Sequence, residues 1–261
     1  MFDCFSAHRM YRINQDSANR AARCELSGGS RVQYNRFSTV ERKRIVELLA
    51  PFVGGSQGEA ILSDKLVSSI STYIDMLFRW NARINLTAIR DPEQVIIRHF
   101  GESFFAASQL FPRFPERDFK SETHPSLADL GSGAGFPGIP IRLLVPDVSL
   151  TLIEANQKKA VFLQEVSRAL ELSDIKVENI RAETLSCTFD VVTLRAVEHF
   201  TEALAVAGRL VAPSGRLALL IGKSQAASVH SVLQEFTWTE VIPVPLSDSR
   251  VMLTGTRNQE D

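Results

Sequence analysis

The sequence predicts an α/β protein built on a doubly wound, mostly parallel sheet, with a small helical part before it. After residue 126, short apolar runs alternate with amphipathic stretches, which is typical of strands joined by crossover helices. Before residue 111, the apolar residues recur at helical spacing. A glycine-rich turn, "GSGAG", follows the first predicted strand, where ligands of such sheets approach the main chain.

The part before the sheet divides into a tail, helices and a linker. Ser38, Ser63 and Asp91 are each placed to cap a helix. The first 36 residues hold six arginines and no lysine, so a disordered tail, an Arg-rich targeting peptide and translation upstream of the natural start are all open. We expect a disordered tail over 1–36, a helical part over 37–110, a proline-rich linker over 111–126 and the sheet domain over 127–261.

The sheet domain is predicted to contain seven strands with helices between them, and Asn156 is placed to cap the second helix. The strands are expected at 127–130, 148–153, 175–180, 189–194, 216–221, 241–244 and 251–256, and the helices at 138–145, 156–171, 199–210 and 224–236.

Composition excludes several classes of protein. The 261 residues are 44% hydrophobic and 23% charged, with a net charge of −1, which argues against non-specific coating of nucleic acid but allows a local basic face. Because no apolar run reaches the ~20 residues of a membrane helix, no membrane partner is expected. The cysteines Cys4, Cys24 and Cys187 are too scattered for a metal site or a disulfide framework, which favours the cytoplasm.

The glycine turn fits two ligand classes. Read from Gly133, "GAGFPG" satisfies the dinucleotide pattern G-x-G-x-x-G, which on its own is a weak signal. Read from Asp129, the stretch is D-x-G-x-G-x-G, with Gly131, Gly133 and Gly135, the form used by enzymes that bind S-adenosylmethionine. Two prolines after the turn remove amide donors that a diphosphate would need, so a ligand without phosphate is favoured.

An acid, Glu154, ends the second predicted strand. A carboxylate at that place can accept both hydroxyls of a ribose. Since both candidate ligands contain a ribose, Glu154 does not discriminate between them, and a solvated helix-capping acid is the other interpretation.

Several segments together resemble the bacterial small-subunit ribosomal RNA guanine-N7 methyltransferases, also called glucose-inhibited division protein B. The resemblance covers about 60–256, and its segments are "WNARINLTAIRDPEQVIIRHF" (80–100), "LADLGSGAGFPGIPI" (127–141), "LIEANQKKAVFLQEV" (152–166), "RAETL" (181–185) and "LRAV" (194–197). It implies a Rossmann-like, seven-stranded S-adenosylmethionine-dependent methyltransferase fold. It also implies methylation of N7 of a guanine in 16S rRNA of the small ribosomal subunit. The cofactor contacts it implies are Gly131, Phe136, Ala182, Glu183 and Arg195.

The positions of these residues at the ends of predicted strands are consistent with those contacts. Ala182 and Glu183 follow the third predicted strand and could read the adenine edge. Arg195 ends the fourth strand and could hold a carboxylate or phosphate, or instead form a salt bridge with Glu183 or Glu198. Phe136 could pack on the cofactor or make a plain core contact.

Substrate RNA is expected to meet side chains of the helical part and of the helix after Glu154. His99 lies on an apolar helix face, so a satisfied core histidine competes with an RNA contact, and Asn85 could pin the turn "RINLT". One departure from the family is the order Gly222-Lys223, where a Lys-Gly pair is usual. The RNA candidates are Arg79, Arg83, Asn85, Arg98, His99, Lys158 and Lys159.

The predicted chemistry needs no catalytic side chain. Guanine N7 has a free lone pair at neutral pH, so direct in-line transfer from a sulfonium requires positioning but neither a general base nor a metal. Cys187 is interpreted as an incidental thiol. The enzyme is expected to act as a cytoplasmic monomer. An NAD(P)-dependent oxidoreductase and a non-catalytic ribosome-assembly factor are the competing hypotheses.

Overall fold

A computed structural model of the chain describes residues 40–54, 61–112, 124–196 and 199–259. The described residues all belong to one compact unit, 37–261. The predicted tail, the Ser38 cap and most of the predicted linker lie outside the described residues. Across the ranges given above, no helix has both the length and the apolar character to cross a membrane.

Two of the helices before the sheet begin at predicted caps, whereas the first begins after Glu41, whose side chain makes no capping hydrogen bond. The Ser63 side chain accepts from the Leu66 amide at 3.3 Å, and the Asp91 side chain accepts from the Gln94 amide at 2.8 Å. The last helix passes through a π-helical segment, a local widening that occurs frequently at functional sites. The elements are α1 (Arg42–Leu49), a 3₁₀ turn (Ala50–Phe52), α2 (Asp64–Asn81), α3 (Pro92–Val95), the π-helical segment (Ile96–Gly101) and α4 (Glu102–Leu110).

Eight strands form one sheet in the order β3-β2-β1-β4-β5-β8-β6, and β7 also pairs with β8. The pairs among β1 to β5 are parallel, whereas β8 is antiparallel to each of its partners. The strands are β1 (Ser126–Leu130), β2 (Ser149–Ile153), β3 (Ile175–Glu178), β4 (Phe189–Arg195), β5 (Val211–Gly222), β6 (Phe236–Trp238), β7 (Ile242–Pro243) and β8 (Arg250–Arg257). The helices between them are α5 (Gly138–Leu144), α6 (Gln157–Ala169), α7 (Phe200–Arg209) and α8 (Lys223–Val232).

The doubly wound, mostly parallel sheet is confirmed, with one strand more than the seven predicted. The predicted helix 224–236 ends at Val232, and the aromatic pair Phe236 and Trp238 forms the edge strand β6. Trp238 packs where a Cβ at Gly255 of β8 would lie, so this bulky residue favours pairing over helix. The Asn156 cap is confirmed, since its side chain accepts from two amides of α6.

The helices before the sheet share a hydrophobic core with one face of it. Tyr73 of α2 stacks on Phe136 after β1, with ring centroids 5.1 Å apart, and meets Phe100 edge-on at 5.3 Å. The Tyr73 hydroxyl donates to the carbonyl of Ala134 in the glycine turn. A second cluster packs α7 and α8 on the other face. The glycine turn is therefore supported from below by the sheet and from the side by α2.

The five parallel strands end at one edge of the sheet, here called the carboxyl rim. It is formed by the ends of β1 to β5 at Leu130, Ile153, Glu178, Arg195 and Gly222. In a doubly wound sheet this edge is where ligands bind.

Candidate functional site

The glycine turn follows β1 at the carboxyl rim. Gly131, Gly133 and Gly135 have φ values of 64°, 57° and 87°, a region that side chains disfavour. At Gly135 an added Cβ would also collide with the Tyr73 hydroxyl and lie 2.8 Å from Ile139 Cδ1. The turn therefore needs glycine for its backbone shape and, at Gly135, for its packing.

The buried carboxylate of Asp129, in β1, stabilises the segment after this turn through hydrogen bonds. Its carboxylate accepts from the Thr193 hydroxyl at 2.9 Å and from the Gly138 amide at 3.2 Å. Burial raises the pKa of Asp129 to about 6, although these hydrogen bonds act in the opposite direction. Asp129 thus links β1, β4 and the start of α5 and supports the site rather than lining it.

Glu154, just beyond β2, is fixed on the ligand side of the turn. One carboxylate oxygen accepts from the Gly133 amide at 2.8 Å and the other from the Asn156 amide at 2.7 Å. A carboxylate can accept about four hydrogen bonds, so each oxygen has capacity for a ligand hydroxyl. The structure thus sets the predicted ribose acceptor in one orientation beside the glycines.

A cavity of about 380 Å³ opens at the carboxyl rim, within the size range of small-molecule sites. Its walls combine apolar side chains with polar groups, the Glu154 carboxylate among them, which suits a nucleoside whose base is flat and whose ribose needs an acceptor. Five predicted site residues line it: Gly131, Glu154, Lys159, Ala182 and Glu183. The other lining residues are Leu130, Ile153, Ala155, Ile180, Arg181, Leu194, Ala196, Ala203 and Val206.

Phe136, which follows the glycine turn, lies in an aromatic stack. Its ring packs parallel to Tyr73 at 5.1 Å and on His99 at 4.7 Å, and only 7% of the residue is exposed. This is the core contact that the sequence left open as an alternative. Contact of Phe136 with the cofactor stays a prediction.

Arg195 forms its salt bridge with Glu102, not with the predicted Glu183; Glu198 lies outside the described residues. One Arg195 amino group is 3.0 Å from the Glu102 carboxylate and 2.7 Å from the Arg98 carbonyl oxygen. Burial lowers the pKa of Arg195, and Glu102 opposes that effect. The partner comes from α4, whose place against β4 the sequence order could not reveal.

Glu102 is the functional candidate that sequence reasoning missed. Its side chain is 2% exposed, and its carboxylate lies 2.9 Å from Arg98, 3.0 Å from Arg195 and 3.6 Å from Arg250. The available signal was an acid on an apolar helix face, four residues after an arginine. We call Arg98, His99, Glu102, Arg195 and Arg250 the Glu102 cluster.

His99 is held neutral within the Glu102 cluster. Its Nδ1 lies 3.2 and 3.3 Å from the two Arg195 amino groups, and its Nε2 lies 2.8 Å from the Thr87 hydroxyl. Because a guanidinium only donates, Nδ1 must accept, and the proton is on Nε2. Burial, with Arg195 and Arg98 nearby, lowers the pKa of His99 to about 3. This environment matches a satisfied core histidine; an RNA contact by His99 stays a prediction.

The turn after α2 is pinned by Asn81 and not by Asn85, which corrects that prediction. The Asn81 side-chain oxygen accepts from the Leu86 amide at 2.9 Å and from the Thr87 amide at 3.1 Å, and its amino group donates to the Thr87 carbonyl at 2.9 Å. Asn81 is buried at the end of α2, whereas Asn85 is exposed. Asn81 therefore positions Thr87, the partner of His99.

The remaining RNA candidates separate by exposure. Arg79, Arg83 and Lys158 are exposed, Lys159 lines the cavity, and Arg98 is engaged by Glu102. An RNA role for these residues stays a prediction. Among the residues the structure describes, no group of three or more metal-ligating side chains is assembled.

Sequence comparisons with known proteins agree on one family. Residues 66–250 match the family described as rRNA small subunit methyltransferase G (GidB). A protein named ribosomal RNA small subunit methyltransferase G from Chloroflexus aggregans is 35% identical over 210 residues, covering 75% of this chain and 84% of its own. A protein of the same name from Xylella fastidiosa (strain 9a5c) is 40% identical over 158 residues, covering 60% and 69%.

A solved structure supports the fold alone. Magnesium protoporphyrin IX methyltransferase from Synechocystis PCC 6803, with bound SAM, superposes with a TM-score of 0.54 at 14% identity, over 75% of this chain and 98% of that one.

Proposed function

The chain belongs to the small-subunit ribosomal RNA methyltransferase G family, and from that premise we propose that it methylates N7 of one guanine in 16S rRNA. It is a methyltransferase that uses S-adenosylmethionine. The observation that carries the proposal is the Glu154 carboxylate, which the glycine turn orients toward the cavity at the carboxyl rim. We further propose that it acts as a monomer in the cytoplasm on the small ribosomal subunit.

The cavity residues have distinct proposed roles toward the cofactor. Glu154 accepts from the ribose hydroxyls, and the backbone of Gly131 gives the methionine part close access to the main chain. Ala182 and Glu183, in the 3₁₀ turn after β3, flank the adenine. When bound, the cofactor supplies a methyl group on a positively charged sulfur.

The chain's own contribution to the reaction is positioning. N7 attacks through its lone pair, so no proton has to leave the nucleophile, and the protein must hold the guanine in line and exclude water. His99 fits this scheme because it is neutral and both of its nitrogens are engaged. It is therefore not available as a general base, which this reaction does not need.

A non-catalytic assembly factor is the second candidate, because one observation favours it. Arg195 is turned toward Glu102, whereas a cofactor-binding role would have it reach the cavity. Against this, Glu154 faces the cavity in an orientation suited to ribose. Binding and methylation experiments separate the two.

The direct test uses small subunits from a strain that lacks this gene. The protein is incubated with them and with S-adenosylmethionine labelled at its methyl, and the RNA is digested to nucleosides. Label in 7-methylguanosine is expected. Glu154→Gln removes charge-assisted hydrogen bonds worth about 1.5–3 kcal/mol, so cofactor affinity should fall about 10- to 100-fold. Glu240→Gln, an exposed acid outside the cavity lining, is the matched control and should bind as the wild type does.

Thermal melts identify which part of the proposal fails. Adenosylhomocysteine should raise the melting temperature and NAD should not. Protection without label in RNA would reject the substrate, and absence of protection by adenosylhomocysteine would favour the assembly factor. Protection by NAD alone would revive the oxidoreductase hypothesis.

A further inference from the structure

A short hairpin projects from the carboxyl rim beside the Glu102 cluster. It joins β7 to β8 and comprises 244–250, closed by the Val244 amide, which donates to the Arg250 carbonyl at 3.1 Å. Arg195, Leu220, Met252 and Ile242 lie in register in one row across β4, β5, β8 and β7. The hairpin continues beyond this row, on the same side as Ala196. It lies three strand spacings, roughly 14 Å, from the end of β4.

Leu246 at the hairpin tip is both exposed and strained. It is 63% exposed, the most among the large hydrophobic residues that the structure describes. Its φ of 56° is left-handed, a conformation that brings a leucine Cβ close to the following carbonyl oxygen. Ala196 and His199, after β4, also have left-handed φ values of 49° and 53°. Glu171, Asp174 and Ser214 have left-handed φ values as well, away from this rim, so it is the exposure of Leu246 that distinguishes the hairpin tip.

Positively charged side chains lie at the base of the hairpin, where it joins the sheet. Arg250 donates to the Leu220 carbonyl at 3.0 Å and lies 3.6 Å from Glu102, whose single charge faces three guanidinium groups. The Lys223 amide donates to the Ser249 carbonyl at 3.0 Å, which places that lysine at the hairpin base as well. Asp248 is the acid of the hairpin itself. Because Lys223 is exposed, a phosphate contact is assigned to it where the hairpin joins the sheet, and the tip offers an apolar side chain.

We propose that the hairpin 244–250 contacts the ribosomal RNA, with Leu246 packing on a base next to the guanine that is methylated. The inference rests on the proposed function and adds the surface that holds the substrate. A base within folded RNA must leave its stack to be modified, and apolar side chains that enter the gap stabilise the opened form. The hairpin has an apolar side chain at its tip and positive charge where it joins the sheet, which is the composition that such a contact needs.

The test compares two exposed apolar residues. Leu246→Ser is expected to raise KM for small subunits at least fivefold, with an unchanged affinity for S-adenosylmethionine. Val241→Ser, which changes a residue 44% exposed before β7, should leave both quantities unchanged. Leu246→Asn separates side chain from backbone, because asparagine tolerates the left-handed region. The Leu246→Asn variant should melt at or above the wild-type temperature and still show the raised KM. The Leu246→Met variant, which keeps a large apolar side chain, should have the wild-type KM.

Crosslinking identifies the partner. A benzophenone amino acid at position 246 should crosslink to 16S rRNA in the small subunit; crosslinking only to a ribosomal protein would overturn the proposal. Wild-type KM in Leu246→Ser would also overturn it, while wild-type methylation of guanine N7 would leave the proposed function intact. Failure of the wild-type protein itself to label RNA, with cofactor bound, would reject the function and the hairpin contact together.

Discussion

Glu102 illustrates how much one side chain decides in this protein. Its carboxylate is buried and joins α4 to β4 and β8 through Arg195 and Arg250. A buried charge is costly unless it is paired, so each guanidinium depends on this carboxylate and the carboxylate depends on them. These buried ion pairs hold the ends of β4 and β8 in place.

Replacing Glu102 by glutamine should therefore destabilise the fold strongly. The change leaves three guanidinium groups without their counter-charge, and removing one partner of a buried pair costs about 3–5 kcal/mol. Urea unfolding followed by circular dichroism measures the loss. Glu93→Gln, which breaks an exposed pair with Arg44, is the control and should change the midpoint little. Equal midpoints for the two variants would contradict the role given to Glu102.

Two buried groups should give the stability opposite pH dependences. The pKa of His99 falls from 6.5 to about 3 on folding, so the unfolded chain binds its proton first and stability is lost as pH falls from 6.5. The pKa of Asp129 rises from 3.8 to about 6, so its contribution is present below 3.8 and lost as pH rises through 6.

Single variants isolate the two contributions. Unfolding free energies at pH 4.5, 5.5 and 6.5 should show that His99→Gln removes a slope of up to about 1.4 kcal/mol per pH unit, since that is the value of one proton. Asp129→Asn should remove a slope of the opposite sign between pH 4.5 and 5.5. Parallel curves for wild type and His99→Gln would show that His99 titrates normally in the folded protein.

At the scale of elements, the turn between α2 and α3 transmits order to the site. Asn81 ends α2 and makes three hydrogen bonds to the backbone of Leu86 and Thr87. Thr87 in turn contacts His99 in the π-helical segment. The helical part therefore supports the carboxyl rim in two ways: through the hydrogen bonds of this turn and through its apolar face.

Asn81→Ala and Asn85→Ala should differ sharply although they lie in the same segment. Loss of the Asn81 side chain leaves partly buried backbone groups without partners, at a cost of about 1–3 kcal/mol. The exposed Asn85 should cost less than about 0.5 kcal/mol. Thermal and urea unfolding provide the comparison. A larger loss of stability for Asn85→Ala than for Asn81→Ala would show that Asn85 holds the turn, as the sequence first indicated.

At the scale of the whole molecule, the helical part and the sheet should unfold together. Tyr73, Phe100 and Phe136 bring residues of α2, the π-helical segment and the glycine turn into one aromatic cluster. A shared core of this kind makes the two parts mutually dependent, because separating them would expose both apolar faces.

The two tryptophans can test this cooperativity. Trp80 lies in α2 and Trp238 in β6, so Trp238→Phe and Trp80→Phe each leave one fluorescent reporter, in the helical part and in the sheet respectively. The midpoint from each reporter's fluorescence should coincide with the midpoint from circular dichroism of the same variant, as two-state unfolding requires. A reporter that changes before the circular dichroism does would show that the parts unfold separately.

The sequence alone determined the features that depend on near neighbours. The Ser63, Asp91 and Asn156 caps, the alternation of strands and helices, and the glycine turn all follow from local backbone preferences and from hydrophobic periodicity. Glu154 was found because the acid and the turn each follow a strand, and parallel strands end at the same rim.

The tertiary structure decided which distant side chains meet. Glu102 and Arg195 are 93 positions apart, and nothing local specifies that α4 packs against the end of β4. The neutral state of His99 depends equally on burial and on Arg195, 96 positions away. Burial and long-range electrostatics act only once the core has formed. The sequence therefore identified the carboxyl rim, and only packing revealed the charge cluster that supports it.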